Sequence, residues 1–440
     1  MKTLRFLLSI SLATSAFAET VKDREGAIRG DKAKMENNDR WIYQDVDAGF
    51  AEAKRTGKPL MVVLRCVPCL ACMGIDTEVL TENAELTPLM DQFVLVRVIN
   101  ANALDLSKFQ FDYDLSFSVL FFNADGTVYG RYGSWEHQHD PQNAATATFK
   151  QALEGALQIH DQFPDVLHAL EGKQGRPSRF KTAVDMPGLS EKYKLDLNWN
   201  GKVVQSCVHC HQLGDAQRLD LRSQGKPLPL NLIYPFPAPE TIGIHFEEEA
   251  ALTIASVDSG SPAEKAGLAK GDEVFSVNGQ VVISAADVSW ALHNLPDISR
   301  PLDISVQSGD VKNAVEVSLP QNWRENADIS RRVGSWPMRA MAFGGAFFVE
   351  LPDEDRERLG LADDQLALLA KHVGQYGKHA AAKREGWKNG DILMEIDGSD
   401  ERFTESQLLG RFIREHKPGE KIPATALRGN QRVKLKIPIQ

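Results

Sequence analysis

Residues 57–72 read Gly57-Lys58-Pro59-Leu60-Met61-Val62-Val63-Leu64-Arg65-Cys66-Val67-Pro68-Cys69-Leu70-Ala71-Cys72. Leu60–Leu64 is an unbroken apolar run, which suits a central strand covered on both faces. Gly57 and Pro59 punctuate its start. Three cysteines at x-x spacing follow, and the chain beyond them reads as a helix. A helix start stabilises a thiolate through its unpaired amides and the positive end of its dipole. A contribution of about 1 kcal/mol lowers a thiol pKa by roughly 0.7 units from about 8.5. A cysteine so placed is only partly ionised near neutrality. Arg65 adds to the effect if its side chain turns inward.

Outward from this stretch the pattern is α/β. Residues 45–57 carry Val46, Phe50 and Ala53 on one face and end at Gly57, as an amphipathic helix does. Residues 93–99 form a second apolar strand. Val119–Phe122, the turn Asp125-Gly126 and Val128–Tyr132 read as a hairpin. Residues 143–160 close the unit as a helix. The polar stretch 19–40 reads as a loosely packed arm.

From about Trp41 to Gly133 this order resembles the thioredoxin-like superfamily, with Gly-Lys-Pro opening the strand and a Cys-x-x-Cys at the next helix. The resemblance implies a reactive pair at Cys69 and Cys72, with Cys69 the nucleophile and Cys72 the shielded resolving thiol. Cys66 lies one x-x step upstream of the usual pattern. It permits a competing Cys66–Cys69 pair, or accepts a disulfide relayed from Cys69. Three thiols at this spacing also suit zinc or Cu(I), or a purely structural cluster. Thioredoxins place a cis-proline opposite the pair. The corresponding stretch here, Asp114-Leu115-Ser116-Phe117-Ser118-Val119, has none.

The remaining two cysteines lie in Ser206-Cys207-Val208-His209-Cys210-His211. Cys-x-x-Cys-His is the c-type haem attachment pattern. Cys207 and Cys210 would form the thioethers, and His211 would be the proximal iron ligand. Residues 212–240 hold no Met and no further His, so a distal ligand would come from Met186, Met338 or Met341. A zinc site of Cys207, Cys210 and His211, with or without His209, and a plain disulfide are the alternatives. The surrounding residues 172–238 read as a linker or small irregular segment with little core of its own. Its end is stiffened by Pro227, Pro229, Pro235, Pro237 and Pro239.

The last 200 residues carry a weak repeat. Ile242-Gly243-Ile244, Ala266-Gly267-Leu268, Gly271-Asp272 and Asn278-Gly279 are echoed by Leu359-Gly360-Leu361, Glu385-Gly386-Trp387, Gly390-Asp391 and Asp397-Gly398. The pattern resembles bacterial PDZ domains, over 239–322 and 341–440. That resemblance implies peptide docking by strand addition, with the terminal carboxylate cradled by backbone amides. The cradles fall at Ile242, Gly243, Ile244 and at Leu359, Gly360, Leu361. Such domains also pack internally without binding peptide.

Composition sets the outer limits. The chain has 440 residues, 25% charged and 42% hydrophobic, with a net charge of −10. That length suggests two to four domains. The acidic balance, without a basic stripe, argues against nucleic acid or an anionic membrane as partner. Lys2 and Arg5, the apolar run 6–13 and Ala16-Phe17-Ala18 read as a signal peptide over 1–18, predicting a periplasmic or secreted chain. No later run is long enough to span a bilayer. There is no Gly-x-Ser-x-Gly elbow, P-loop, His-Glu-x-x-His or EF-hand loop.

The expected fold class is therefore multidomain, α/β plus β-rich: a signal peptide 1–18, a thioredoxin-like domain 41–160, the Cys-x-x-Cys-His segment 172–238, and two PDZ-like domains. The combination resembles the bacterial thioredoxin-like/PDZ (seleno)protein family over nearly the whole mature chain. Some members look to use selenocysteine in the first cluster, which this chain fills with cysteine only. The expected function is thiol–disulfide exchange, with PDZ recruitment of protein partners or C-terminal peptides, and haem c or, alternatively, zinc as cofactor. A non-catalytic scaffold with structural or metal-holding cysteines is the other expectation.

Overall fold

A computed structural model describes residues 22–67, 73–80, 83–133 and 146–440. The expected signal peptide, 1–18, lies outside the described residues. So do Cys69 and Cys72.

The first sheet contains β1 (Trp41–Tyr43), β2 (Leu60–Arg65), β3 (Val94–Val98), β4 (Phe117–Phe122) and β5 (Val128–Tyr132), in the order β1-β3-β2-β4-β5. β1, β3 and β2 run parallel, β4 is antiparallel to β2, and β5 is antiparallel to β4. Every residue of β2 is buried, as its unbroken apolar run requires. Alternation divides its side chains between two cores. Met61 and Val63 face helix Thr146–Asp161, which presents Phe149, Ala152, Leu153 and Ala156. Leu60, Val62 and Leu64 face the other way, toward helix Val46–Thr56. That helix is capped by the Asp45 carboxylate at its start and by left-handed Gly57 at its end.

The segment 172–238 is more than a linker. Ala183, Met186, Leu189, Tyr193, Val208 and Leu213 pack into the second of these cores. The segment lacks periodicity because it buries isolated anchors on a preformed sheet face. The stretch expected as a loose arm is also ordered from Asp23 onward. Helix Arg24–Glu36 buries Ile28 and Met35, and Arg29 donates to the Trp199 and Gly201 carbonyls at 2.6 Å each. Its buried residues are too few to register as a hydrophobic stripe in a polar sequence.

Next come β6 (Ile244–Phe246), β7 (Ile254–Val257), β8 (Glu273–Val277), β9 (Gln280–Val281), β10 (Arg300–Ser308) and β11 (Val311–Leu319). β6 pairs with β7, and the other four form a sheet of order β11-β10-β8-β9. Helix Ala285–His293 closes their core with Val288, Ala291 and Leu292. The last sheet runs β12 (Ala346–Glu350), β13 (Leu368–Val373), β14 (Ile392–Ile396), β15 (Lys421–Arg428) and β16 (Gln431–Pro438), in sequence order and antiparallel throughout. Helix Glu405–Glu415 packs against it with Leu408, Leu409 and Phe412.

The two units that follow the first sheet are not strung loosely behind it. Ile283 inserts where Gly130 and Gly155 have no side chain; a Cβ at either would stand 2.3 or 2.8 Å from it. Ile283 thereby joins the core of the first domain. Asp112 and Asp114 of that domain grip Arg332, which precedes β12. Among the described residues, no helix is long and apolar enough to cross a membrane.

Candidate functional site

Cys66 follows directly on β2. Its N–H donates to the Ser116 carbonyl at 2.8 Å. Ser116 belongs to the stretch that lacks the proline, so that stretch does face the cysteine region. Helix Met73–Leu80 is the next described element. Arg65, expected to assist a thiolate if turned inward, is buried and ion-paired to Asp76 at 3.3 Å. Burial opposes the Asp76 charge, but Arg97 and Arg65 overcome it and hold its carboxyl below the usual range. Arg97 is shared in turn with Asp31 at 2.6 Å. The Arg65 charge is thus committed to a buried carboxylate.

The Cys-x-x-Cys-His segment sits against the same place. Asn102, fully buried in the loop after β3, is its anchor. Its amide nitrogen donates to the Lys194 and Ser206 carbonyls at 2.6 and 2.9 Å, and its oxygen accepts the Val208 N–H at 2.7 Å. The Ala101 N–H donates to the Val208 carbonyl. This seating brings His209 Nδ1 to 3.4 Å from Cys66 Sγ, across 143 positions of sequence. Cys66, His209 and Cys210 wall one small cleft of about 10 Å³. Cys66 and the second cysteine motif, expected to belong to separate centres, meet at one place.

The groups in it differ in character. Cys207 is buried, and its thiol lies 3.7 Å from the Ile99 carbonyl. Burial raises its pKa strongly, and a charge on Cys66 raises it further. Burial also pushes the Cys210 thiol up to about 12, again with a contribution from Cys66. Loss of hydration, then His211, brings the His209 imidazole down to about 4, so it is neutral at physiological pH. Its ring stacks on that of His211, centroids 5.8 Å apart. His211 Nδ1 lies 3.9 Å from Asp215.

This packing does not suit a haem. The cleft shared by Cys210 and Cys66 holds about one water, whereas sites for large cofactors run to hundreds of Å³. Cys207 faces the apolar cluster of Ile28, Ile99, Leu197 and Val203, while Cys210 packs on the core beneath the sheet. Among the described residues, no three His, Cys, Asp or Glu side chains gather as a metal site.

The expected cradle residues, Ile242-Gly243-Ile244, run directly into β6, of which Ile244 is the first residue. Gly243 has φ +89°, and a Cβ there would stand 2.2 Å from that of Ser261. The Gly243 carbonyl accepts the Asp258 N–H toward β7. The alternate residues Ile244 and Phe246 therefore turn their backbone groups to the other edge. Among the described residues, no other element hydrogen-bonds to those groups.

Leu359, Gly360 and Leu361 are placed elsewhere. They end helix Asp353–Leu359, inserted between β12 and β13, with Gly360 as its left-handed cap. The loop before β12 is Phe343-Gly344-Gly345-Ala346, which lacks the apolar-Gly-apolar signature and so escaped the sequence reading. The neighbouring edge is also occupied. The Phe348 N–H donates to Glu405 at 3.0 Å, and Glu405 is paired with buried Arg339 at 2.6 Å. Helix Ser335–Phe343 fills the space with Phe343 against Phe348 and Phe412.

Sheet, thiol site and β6 edge together define a thioredoxin-like domain joined to a PDZ domain. The Thioredoxin-like family matches residues 41–124, and the PDZ domain family matches residues 241–319. The chain is 28% identical over 172 residues to a probable periplasmic serine endoprotease DegP-like of Pseudomonas savastanoi pv. phaseolicola, covering 38% of this chain and 33% of that protein. It is 27% identical over 170 residues to the DegP-like protein of Pseudomonas fluorescens, covering 38% and 34%. The chain thus spans about a third of these relatives' length. Among solved structures, the HtrA3 PDZ domain bound to a phage-derived ligand is 19% identical, covering 18% of this chain and 81% of that one at a TM-score of 0.16. The HtrA-type protease AlgW with decapeptide is 20% identical, covering 38% and 47% at a TM-score of 0.22.

Proposed function

We propose that the protein is an exported thiol–disulfide exchange protein whose PDZ domain recruits the partner chain. The observation that carries this is the contact of Cys66 with His209 at the end of the central strand. It puts a sulfur beside an imidazole at the position where thioredoxin-like domains do their chemistry. Cys69 and Cys72 supply the exchanging pair. Periplasmic location is consistent with the DegP-like relatives and with the basic-apolar-Ala start of the sequence.

Recruitment falls to the first PDZ domain, where Ile244 and Phe246 offer an edge for an added strand. The C-terminal unit is read as a second PDZ-like domain. Support comes from its repeat of strand, strand, short helix, strand, helix, strand, strand, apart from the helix Asp353–Leu359 inserted after its first strand, and from a relative matched over 170 residues, a length greater than that of 241–319. Glu405 and Arg339 make it a packing module rather than a peptide binder.

The test is reduction of insulin disulfides by the full mature chain. Cys69→Ser should lower the rate by at least tenfold. Equal rates for variant and parent would leave the scaffold reading, in which the cysteines hold structure or metal and only peptide binding remains.

A further inference from the structure

The second cysteine motif has no task in exchange by Cys69 and Cys72 alone. Yet the fold seats it on Cys66 by the buried Asn102 contacts, and by Glu25 of the N-terminal helix, which accepts the Val203 and Val204 N–H groups at 3.1 Å each. Two remote segments are spent on holding His209 and Cys210 against one sulfur.

We propose that Cys66 and Cys210 form a second, interconverting dithiol/disulfide pair, with His209 as the proton acceptor for Cys66, so that the Cys-x-x-Cys-His motif works as an internal arm of the thiol site. This rests on the thiol–disulfide reading above. Three observations carry it. His209 Nδ1 lies within hydrogen-bonding reach of Cys66 Sγ. Cys66 and Cys210 wall the same cleft, which has room for a bond but not for a cofactor. Cys207, the other thiol of the motif, is buried with its Sγ 3.7 Å from the Ile99 carbonyl and is not among the residues walling the cleft.

The step balances as follows. Cys66 gives its proton to His209 and attacks one sulfur of a partner's disulfide. The partner S–S bond breaks, a Cys66–partner bond forms, and the released partner sulfur takes from His209 the proton that Cys66 gave up, leaving the imidazole neutral. Cys210 then attacks Cys66 Sγ, losing its own proton to the second departing partner sulfur by way of His209. The partner leaves as a dithiol, reduced by two electrons, and Cys66–Cys210 is the disulfide formed. The half-buried Cys210, packed on the core beneath the sheet, is the slow, shielded resolving thiol, reached only when Cys66 already carries a partner.

The experiment is disulfide mapping of the full chain after exposure to oxidised glutathione, with proteolysis under non-reducing conditions. A linked pair of peptides containing Cys66 and Cys210 is expected. In Cys210→Ser, glutathione should remain on Cys66. In His209→Gln, alkylation of Cys66 by iodoacetamide at pH 7 should slow by about tenfold or more, at unchanged circular dichroism. A Cys69–Cys72 disulfide with Cys66 and Cys210 both alkylated would overturn the proposal while leaving exchange at Cys69 and Cys72 intact. A Soret band, or stoichiometric zinc released by thiol modification of Cys210, would overturn it too. A Cys66–Cys210 bond in a protein that does not reduce insulin would support the pair and remove the exchange function instead.

Discussion

Asp287 of the PDZ helix and Lys173 of the segment behind the thioredoxin-like sheet form an ion pair at 2.8 Å, each side chain only 1% exposed. Asp287 also accepts the Arg131 N–H of β5 at 3.0 Å, and Lys173 donates to the Val281 carbonyl. Trp290 lies under the Arg131 guanidinium at 3.6 Å and donates to the Gly172 carbonyl. The PDZ domain is therefore fixed on the thioredoxin-like domain by a buried polar joint.

Breaking that joint should be costly. Asp287→Ala leaves a buried ammonium and a buried N–H without their acceptor. Removing one member of such a pair costs about 3–5 kcal/mol. Urea denaturation of the full chain should show this loss, and limited proteolysis should then release the PDZ domain. An unchanged midpoint would mean that the interface is held by Ile283 and the Trp290 contacts without the ion pair.

Peptide binding should depend on one glycine and not on the other. Gly243→Ala forces a Cβ into Ser261 at a backbone angle that side chains avoid. Affinity for a C-terminal peptide, read by fluorescence polarisation, should fall at least tenfold. Gly360→Asn keeps a left-handed helix cap and should leave affinity unchanged. Equal losses in both would return the cradle to Leu359–Leu361.

Asn102 should act on thiols it does not touch. Asn102→Ala removes three buried hydrogen bonds, two that seat Ser206 and Val208 and one to the Lys194 carbonyl. Each buried group left unpaired costs about 1–3 kcal/mol. Cys207, inert in the parent, should then react measurably with a disulfide reagent. Continued protection of Cys207 in a folded variant would refute this seating role.

Acid should weaken the fold from about pH 6.5 downward. Burial holds His293 down to about 3 and His209 down to about 4. Between 6.5 and those values the unfolded chain binds more protons than the folded one, so stability falls as pH falls. Each histidine contributes up to about 1.4 kcal/mol per pH unit. Asp112, raised to about 6 by burial despite Arg332, acts in the opposite direction between about 6 and 4 and offsets one histidine. His293→Asn should flatten the slope of stability against pH by about one proton. A slope unchanged in that variant would show that His293 is already protonated in the fold.

The first domain was legible because its signals are local. A five-residue apolar run punctuated by Gly57 and Pro59 suits a doubly covered strand, and Asp125-Gly126 between apolar runs marks a turn. The apolar-Gly-apolar step at 242–244 marked the entry to β6 for the same reason. At 359–361 the same three-residue pattern misled, because a left-handed glycine ends a helix as readily as it opens a strand.

Sequence by itself determined the domain classes, the strand that presents Cys66, and the presence of two cysteine motifs. Only the tertiary structure decided that Cys66 and the second motif meet. His209 and Cys66 are joined by no periodicity or spacing. Their contact depends on a buried Asn102 and on a segment whose few apolar anchors gain their core from the sheet they cover. Long-range placement of that kind is set by which surfaces can be buried together, and no local stretch of residues records it.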